Sequence, residues 1–118
     1  MEPLNEMCAA IHKAAKEKGF YDEPRETGTL LMLIVSELSE ALEADRRDLH
    51  ADVYSYEHTG KDSESFRAFM KNTFEDEIAD AVIRLMDLCG YMGIDLDYHI
   101  REKLAYNKQR EYKHGKNY

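Results

Sequence analysis

Residues that interrupt helices are scarce in this chain. It contains two prolines and six glycines among 118 residues, and it has no tryptophan. Proline and glycine are the least favourable residues inside a helix, so their scarcity permits long helices. Because 43% of the residues are hydrophobic and the length suits one hydrophobic core, we expect a single globular domain over residues 1–118.

A long apolar run is also absent. The longest extends from Leu30 to Val35, whereas a helix that crosses a membrane needs roughly 20 apolar residues. The N-terminal residues do not combine a basic segment with a following apolar stretch, which is the pattern of a secretory signal. We therefore expect no membrane association and a cytoplasmic location.

Cysteine is limited to Cys8 and Cys89, which fall within helical patterns and lack the short spacing of a zinc site. A free cysteine in an apolar segment packs as a small hydrophobic residue. We therefore predict two buried thiols and assign no chemistry to them.

Positive charge is in deficit, since the net charge is -8. A stable nucleic-acid complex is not expected, because such binding depends on cations that displace phosphate counterions. The basic residues are concentrated near the C-terminus, where residues 101–118 contain six lysines or arginines and two acids. This distribution is suited to an anionic small molecule held between an acidic body and a basic segment.

Hydrophobic periodicity predicts four helices and an all-α fold. Gly19 is placed to end the first helix, Thr27 or Thr29 to cap the second, and Asp95 to cap the last. The predicted helices cover residues 4–18, a segment from the threonine cap to about 46, residues 63–89, and a segment from 96 toward the C-terminus. Residues 48–62 are predicted to form a surface connection. We expect an antiparallel four-helix bundle whose broad apolar stripes drive assembly into a dimer or tetramer.

Two acidic pairs lie inside the strongly apolar helices. Glu37 and Glu40 are three residues apart, as are Glu77 and Asp80. Residues at this spacing lie on the same side of a helix, so packing the two helices together would bring four carboxylates to one place. Buried carboxylates repel one another unless protons or cations compensate them, and a divalent-metal site is the simplest interpretation of this pattern.

The ligand type indicates which metal is expected. Carboxylate oxygens without nearby histidine or cysteine suit Mg²⁺, with Mn²⁺ as an alternative. Mg²⁺ is commonly shared with substrate phosphates, so the site predicts a phosphorylated substrate. A different interpretation is that the acids form a regulatory or protein-binding surface on a noncatalytic helical module.

Three segments, 34–46, 74–84 and 103–116, resemble a known family in their order and helical setting. The first two look like the metal-binding helices of MazG-like all-α nucleoside triphosphate pyrophosphohydrolases, and the third is similar to the C-terminal helix and tail of that family. The interval between Glu40 and Glu77 is wider than in compact members, with the excess around residues 50–70. This difference affects the expected pocket closure and substrate choice more than metal binding.

The resemblance implies hydrolysis of a nucleoside triphosphate between its α- and β-phosphates. Glu37, Glu40, Glu77 and Asp80 would hold the metal, and Glu40 is our hypothesis for the residue that accepts a proton from water. A related activity on phosphoribosyl-ATP would use the same acids with a different pocket.

Basic and polar residues of the last helix are candidates for substrate binding. Lys103 and Arg110 lie seven residues apart on one helical face, where they could clamp phosphate oxygens, with Asn107 between them as a hydrogen-bonding group. Arg84 is expected to act as a counter-ion of Asp80 or Asp87. The base, the sugar and the biological pathway stay open at the level of sequence.

Overall fold

A computed structural model describes residues 1–110, and the regular structure in that range is entirely helical. The all-α prediction is therefore confirmed, although the described part contains six helices where four were expected. They are α1 (Pro3–Glu17), α2 (Thr27–Arg46), α3 (Val53–Glu57), α4 (Ser63–Phe69), α5 (Phe74–Met92) and α6 (Leu96–Lys108).

The first two helices agree closely with the predicted bounds. α1 has proline in its first turn, where the missing N–H group costs nothing, and Gly19 adopts the left-handed backbone just after the helix, with φ of 87°. α2 runs without interruption to Arg46. The periodic apolar residues were sufficient to locate both helices.

The predicted long helix over residues 63–89 is wrong, because it is divided into α4 and α5. Asn72 has a left-handed backbone conformation with φ of 65°, which asparagine tolerates better than most residues. Thr73 then caps α5 by accepting a hydrogen bond from the Asp76 N–H at 3.3 Å. Of the two glycines near the end of this segment, Gly90 lies inside α5, and Gly93 forms its C-terminal cap with φ of 68°.

The connection before α4 is more ordered than expected, because it contains α3. Asp52 caps α3 by accepting from the Ser55 N–H at 3.0 Å, and Asp62 caps α4 by accepting from the Ser65 N–H at 2.9 Å. Both contacts lower the pKa of the aspartate, since the N–H donors favour the charged carboxylate. These Asp-x-x-Ser patterns are helix start signals. The first was not recognised as one because the hydrophobic periodicity that follows it is weak.

The connection is attached to the beginning of α5. Glu75 accepts hydrogen bonds from the Ala51 N–H at 2.7 Å and lies 2.9 Å from His50 Nδ1. The pKa of Glu75 falls to about 2, chiefly because of the Ala51 N–H and then because of His50. The Phe74 N–H also donates to the Leu49 carbonyl at 2.8 Å. These contacts fix the end of α2 next to the first turn of α5.

α5 is the central helix, because both α1 and α2 pack against it. One buried cluster contains Cys8, Met86 and Cys89, and a second contains Leu30, Ile34 and Leu88. The two cysteines are free and buried, as predicted. The core therefore consists of two interfaces that share one helix.

α6 begins at the predicted cap and packs mainly against α1. Asp95 accepts from the Tyr98 N–H at 3.1 Å and also accepts from the Asn5 side chain at 2.7 Å. The last predicted segment, residues 111–116, lies outside the described residues. Along residues 1–110, no helix is both long enough and apolar enough to span a membrane.

Candidate metal centre

Packing of α2 against α5 brings the predicted acids together around Glu77. Carboxylate oxygens of Glu37, Glu40 and Glu77 lie within 4.8 Å of one another, and so do oxygens of Asp76, Glu77 and Asp80. Glu77 belongs to both groups. The structure therefore places the four sequence-predicted ligands in two groups that meet at Glu77, and it adds Asp76 to the group that contains Asp80.

The start of α5 determines where Glu77 and Asp76 stand. Glu75, Asp76 and Glu77 occupy the first turn, where the unpaired N–H groups and the positive end of the helix dipole favour negative charge. Asp76 also accepts a hydrogen bond from the Asn72 N–H at 2.9 Å. The break at Asn72 thus has a direct consequence for the site, because it places these acids at a helix N-terminus.

Glu77 is the most informative member of the cluster. Its side chain is only 5% exposed, and its Oε2 atom has no hydrogen-bond partner among the described residues. Burial, together with the neighbouring carboxylates of Glu40 and Glu37, raises the pKa of Glu77 to about 7. A buried acceptor without a donor is costly, and either a proton or a divalent cation held by the converging carboxylates would remove that cost.

Asp80 lines the cavity and is affected by burial in the same direction as Glu77. Its pKa is raised by burial first, and then by the charges of Asp76 and Glu37, while Arg84 acts in the opposite direction. The oxygen-only set of donors fits a hard cation such as Mg²⁺. The residues present therefore satisfy the chemical requirements of the expected metal.

Arg84 is paired across the two helices and not along its own. Its Nε donates to Glu37 Oε1 at 3.1 Å. Arg84 was expected to be the counter-ion of Asp80 or Asp87. The structure corrects this expectation, because the hydrogen bond of Arg84 is made with Glu37. Spacing along α5 favoured acids near Arg84 on the same helix. The actual acceptor, Glu37, is on α2 and is found only from the packing of the two helices.

A cavity of about 550 Å³ opens beside the acids, between α1, α2 and α5. Glu37 and Asp80 line one side of it, and Phe20 and Arg25 come from the connection between α1 and α2. Its remaining lining residues are Ile11, Ala14, Ala15, Lys18, Leu30, Leu33, Ile83, Arg84 and Asp87. The mixture of apolar walls and a few polar groups is typical of a small-molecule site.

A hydrogen-bonded group holds the cavity residue Asp87 in place. His12 Nδ1 lies 2.9 Å from Asp87 Oδ1, and the Tyr21 hydroxyl donates to Asp87 Oδ2 at 2.6 Å. Burial raises the pKa of Tyr21, and the Asp87 carboxylate raises it further. Tyr21 also packs against Tyr91, with ring centroids 4.6 Å apart. Both oxygens of Asp87 are thus engaged, which gives the cavity a fixed wall on α1 and α5.

Comparison with known proteins supplies no relative for this chain. No family model, curated protein or solved structure matches it. The resemblance to MazG-like pyrophosphohydrolases stays a prediction. The proposed function is argued from the acidic cluster and the cavity beside it.

The sequence-predicted substrate residues of α6 and of the residues just after it lie outside the cavity lining. Lys103 Nζ is 5.0 Å from the centroid of the Tyr106 ring, and Arg110 Cζ is 5.7 Å from the same centroid. Asn107 is half-buried on the same helix. The structure therefore brings Lys103 and Arg110 together around Tyr106, and it places none of the three residues in the lining of the cavity beside the acids.

Sequence reasoning did not select several residues of the cavity. Phe20 and Arg25 carry no pattern that marks them as site residues. Both belong to a connection without helical period, so only the folded chain places them in the lining of the cavity. Asp76 had a detectable signal, since it stands four residues before Asp80 and follows the Asn72–Thr73 cap.

Proposed function

We propose that this protein is a Mg²⁺-dependent hydrolase that converts a nucleoside or deoxynucleoside triphosphate to the monophosphate and pyrophosphate. The observation that carries the proposal is the buried Glu77 carboxylate, whose Oε2 lacks a partner and which is surrounded by other acids beside a cavity. Such a cluster is unfavourable without a cation, and the cavity offers space for the rest of a phosphorylated ligand.

Glu37, Glu40, Glu77 and Asp80 are the proposed metal ligands, and Mn²⁺ is an alternative to Mg²⁺. When bound there, the cation would supply positive charge that stabilises phosphate oxygens and makes water more acidic. The protein residues contribute the geometry. Glu77 and Asp80 are held by α5, and Glu37 and Glu40 are held one turn apart by α2.

Glu40 is the proposed proton acceptor. It is exposed, unlike Glu77, and so it can accept a proton from water at the open side of the cluster. In the proposed reaction, a water oxygen forms a bond to the α-phosphorus, and the bond from that phosphorus to the bridging oxygen breaks. Pyrophosphate leaves with the bridging oxygen, and the proton from water passes to the Glu40 carboxylate.

The cavity is the proposed place of the nucleoside. Its volume of about 550 Å³ lies in the range of small-molecule pockets, and its apolar walls suit a sugar and a planar base. Phe20 at the cavity is exposed enough to contact such a ring. A cytoplasmic location, where nucleoside triphosphates are made and consumed, belongs to the same proposal.

Assembly into a homodimer or a tetramer is also proposed. Apolar side chains that recur at helical spacing are exposed along α2 and α5. They are Leu31, Val35, Leu38 and Leu42 on α2, and Ile78, Val82 and Leu85 on α5. A second subunit would cover these stripes. Its α6, together with the residues that follow this helix, is the proposed source of Lys103, Asn107 and Arg110 near the phosphates.

Product analysis in ¹⁸O-labelled water tests the proposed reaction. A panel of canonical and damaged nucleoside triphosphates, together with phosphoribosyl-ATP, is incubated with Mg²⁺. We expect pyrophosphate release with the label in the monophosphate, because water attacks the α-phosphorus. Label in phosphate or pyrophosphate would contradict this site of attack, and cleavage of phosphoribosyl-ATP alone would select the alternative substrate.

Variants of the acidic cluster test the assignment of residues. Glu40→Gln and Asp80→Asn are expected to lower kcat by at least about 100-fold, because each removes a charge from the proposed site. Glu43→Gln is the matched control, since Glu43 is an exposed acid of α2 that is paired with Arg47 at 3.1 Å. Normal turnover in both cluster variants would refute the assignment. A folded protein that binds neither Mg²⁺ nor Mn²⁺ would favour the noncatalytic module.

A further inference from the structure

Arg84 stands at the junction of the acidic cluster and the cavity. It lies on α5 one turn after Asp80, lines the cavity, and donates from Nε to Glu37 Oε1 at 3.1 Å. The Glu37 side chain is 12% exposed, whereas that of Arg84 is 43% exposed. The ion pair thus joins a largely buried carboxylate to a cation that retains access to the cavity.

We infer that Arg84 is a phosphate-binding residue which Glu37 holds in the metal-free protein and releases when a divalent cation binds. This inference rests on the proposed function, because it assigns a further residue to the same substrate. The Glu37 carboxylate has two competing partners, the Arg84 guanidinium and the cation expected at the cluster. Binding of the cation to Glu37 therefore weakens its contact with Arg84.

The released guanidinium has a defined place to act. Arg84 contacts Glu37 and lies one turn from Asp80. A ligand group that binds a metal ion held by these two acids would therefore lie next to the Arg84 side chain. For a nucleotide, that group is a phosphate. The planar guanidinium matches two phosphate oxygens, which makes arginine better suited than lysine to this contact.

The ion pair has opposite consequences for metal and phosphate. In the absence of nucleotide, Arg84 competes with the cation for Glu37 and adds positive charge next to it, so it lowers metal affinity. In the presence of phosphate, the same positive charge becomes an additional contact. An arginine with a purely structural role on the surface of α5 would not change the affinities for metal and for phosphate in opposite directions.

Titration calorimetry on the nucleotide-free protein measures the first consequence. Arg84→Gln is expected to bind Mg²⁺ about two- to fivefold more tightly than the unaltered protein, which corresponds to the loss of a partly exposed ion pair. Arg101→Gln is the matched control, because Arg101 pairs with Asp97 at 2.7 Å on α6, away from the acidic cluster. Its affinity for Mg²⁺ is expected to stay unchanged.

Titration of inorganic tripolyphosphate at saturating Mg²⁺ measures the second consequence without a base or a reaction. Arg84→Gln is expected to lose at least about tenfold in affinity, because a charged donor to phosphate is removed. Arg84→Lys is expected to recover part of this loss through its charge, but not the paired contact. Circular dichroism and thermal unfolding establish that each variant is folded.

The outcomes separate this inference from the proposed function. If the unaltered protein binds Mg²⁺ and tripolyphosphate while Arg84→Gln matches it in both affinities, the role of Arg84 is refuted and the metal site stands. Weakening of both affinities in Arg84→Gln would also refute the competition. Absence of Mg²⁺ binding to the unaltered, folded protein would remove the proposed function and this inference together.

Discussion

Among single residues, Glu77 combines a cost in stability with a proposed role in metal binding. Its pKa is raised to about 7, first by burial and then by Glu40 and Glu37, from an ordinary value of 4.5. A carboxyl group with a raised pKa in the folded state stabilises the fold fully below the unfolded pKa and loses that contribution as the pH rises through the folded pKa. Without metal, stability should therefore fall between about pH 4.5 and 7.

Glu77→Gln is expected to weaken this pH dependence, and the raised pKa of Asp80 accounts for the remainder. At pH 8 and without divalent cations, the variant should have a higher thermal midpoint than the unaltered protein, by about 4 °C for each kcal/mol recovered, because position 77 no longer buries a charge. Addition of Mg²⁺ should raise the midpoint of the unaltered protein only, and more strongly at pH 8 than at pH 6. Scanning calorimetry measures both effects.

Glu43→Gln serves as the control for the removal of an acid, since Glu43 is exposed on the same helix as Glu40. It should leave the response to Mg²⁺ intact. If Glu77→Gln and the unaltered protein lost stability equally between pH 5 and 8, the buried carboxylate would not be the group responsible.

At the scale of helices, the contact between α1 and α5 depends on Gly90. A Cβ atom added at this position would lie 2.7 Å from both the Cys8 carbonyl oxygen and His12 Cβ. Because the carbonyl belongs to the backbone of α1, the two helices would have to move apart. The absence of a side chain at Gly90 therefore permits the packing that forms one wall of the cavity.

Gly90→Ala is expected to lower the free energy of unfolding by about 1–3 kcal/mol, although alanine favours helices more than glycine does. Gly28→Ala is a matched control, because Gly28 is also helical and nothing lies within 4 Å of a Cβ placed there. That substitution should be neutral or stabilising by up to about 1 kcal/mol. Urea unfolding of the two variants compares them, and equal stability would contradict the close approach.

Helix positions were predictable wherever periodicity coincided with a start or stop signal. The bounds of α2 followed from its apolar stripe, and the start of α6 followed from Asp95. The break at Asn72 did not follow from the sequence pattern. Apolar residues recur at helical spacing on both sides of the break, and a left-handed conformation at one residue does not change that spacing.

The candidate site was predictable to the same extent. Spacing along α2 and α5 identified which acids share a helical face, since that is a property of one helix at a time. The partner of Arg84 and the position of Phe20 depend on contacts between helices, which no local pattern specifies. For the same reason, α6 carried a plausible phosphate-binding pattern without indicating which surface it would face.

For the molecule as a whole, the arrangement of helices is open. The radius of gyration is 17.3 Å, compared with about 13 Å for a compact chain of this length. α6 packs mainly on α1, and α3 and α4 pack mainly on each other, so α2 and α5 keep apolar residues at the surface. Uncovered stripes of this kind are expected where a second copy of the chain binds.

Val35 offers a direct test of assembly, because it lies within the exposed apolar stripe of α2 and is itself 49% exposed. Val35→Glu places a charge in the proposed interface on each subunit, where burial without a partner is unfavourable. We expect the dimer or tetramer to dissociate at least about tenfold more readily, as measured by light scattering coupled to size-exclusion chromatography.

Tyr54→Glu, an equally polar change at an exposed residue of α3 outside both stripes, should leave the mass unchanged. If the unaltered protein is a monomer at micromolar concentration, the stripes do not mediate assembly, and the proposed contribution of α6 from a second subunit is excluded with it.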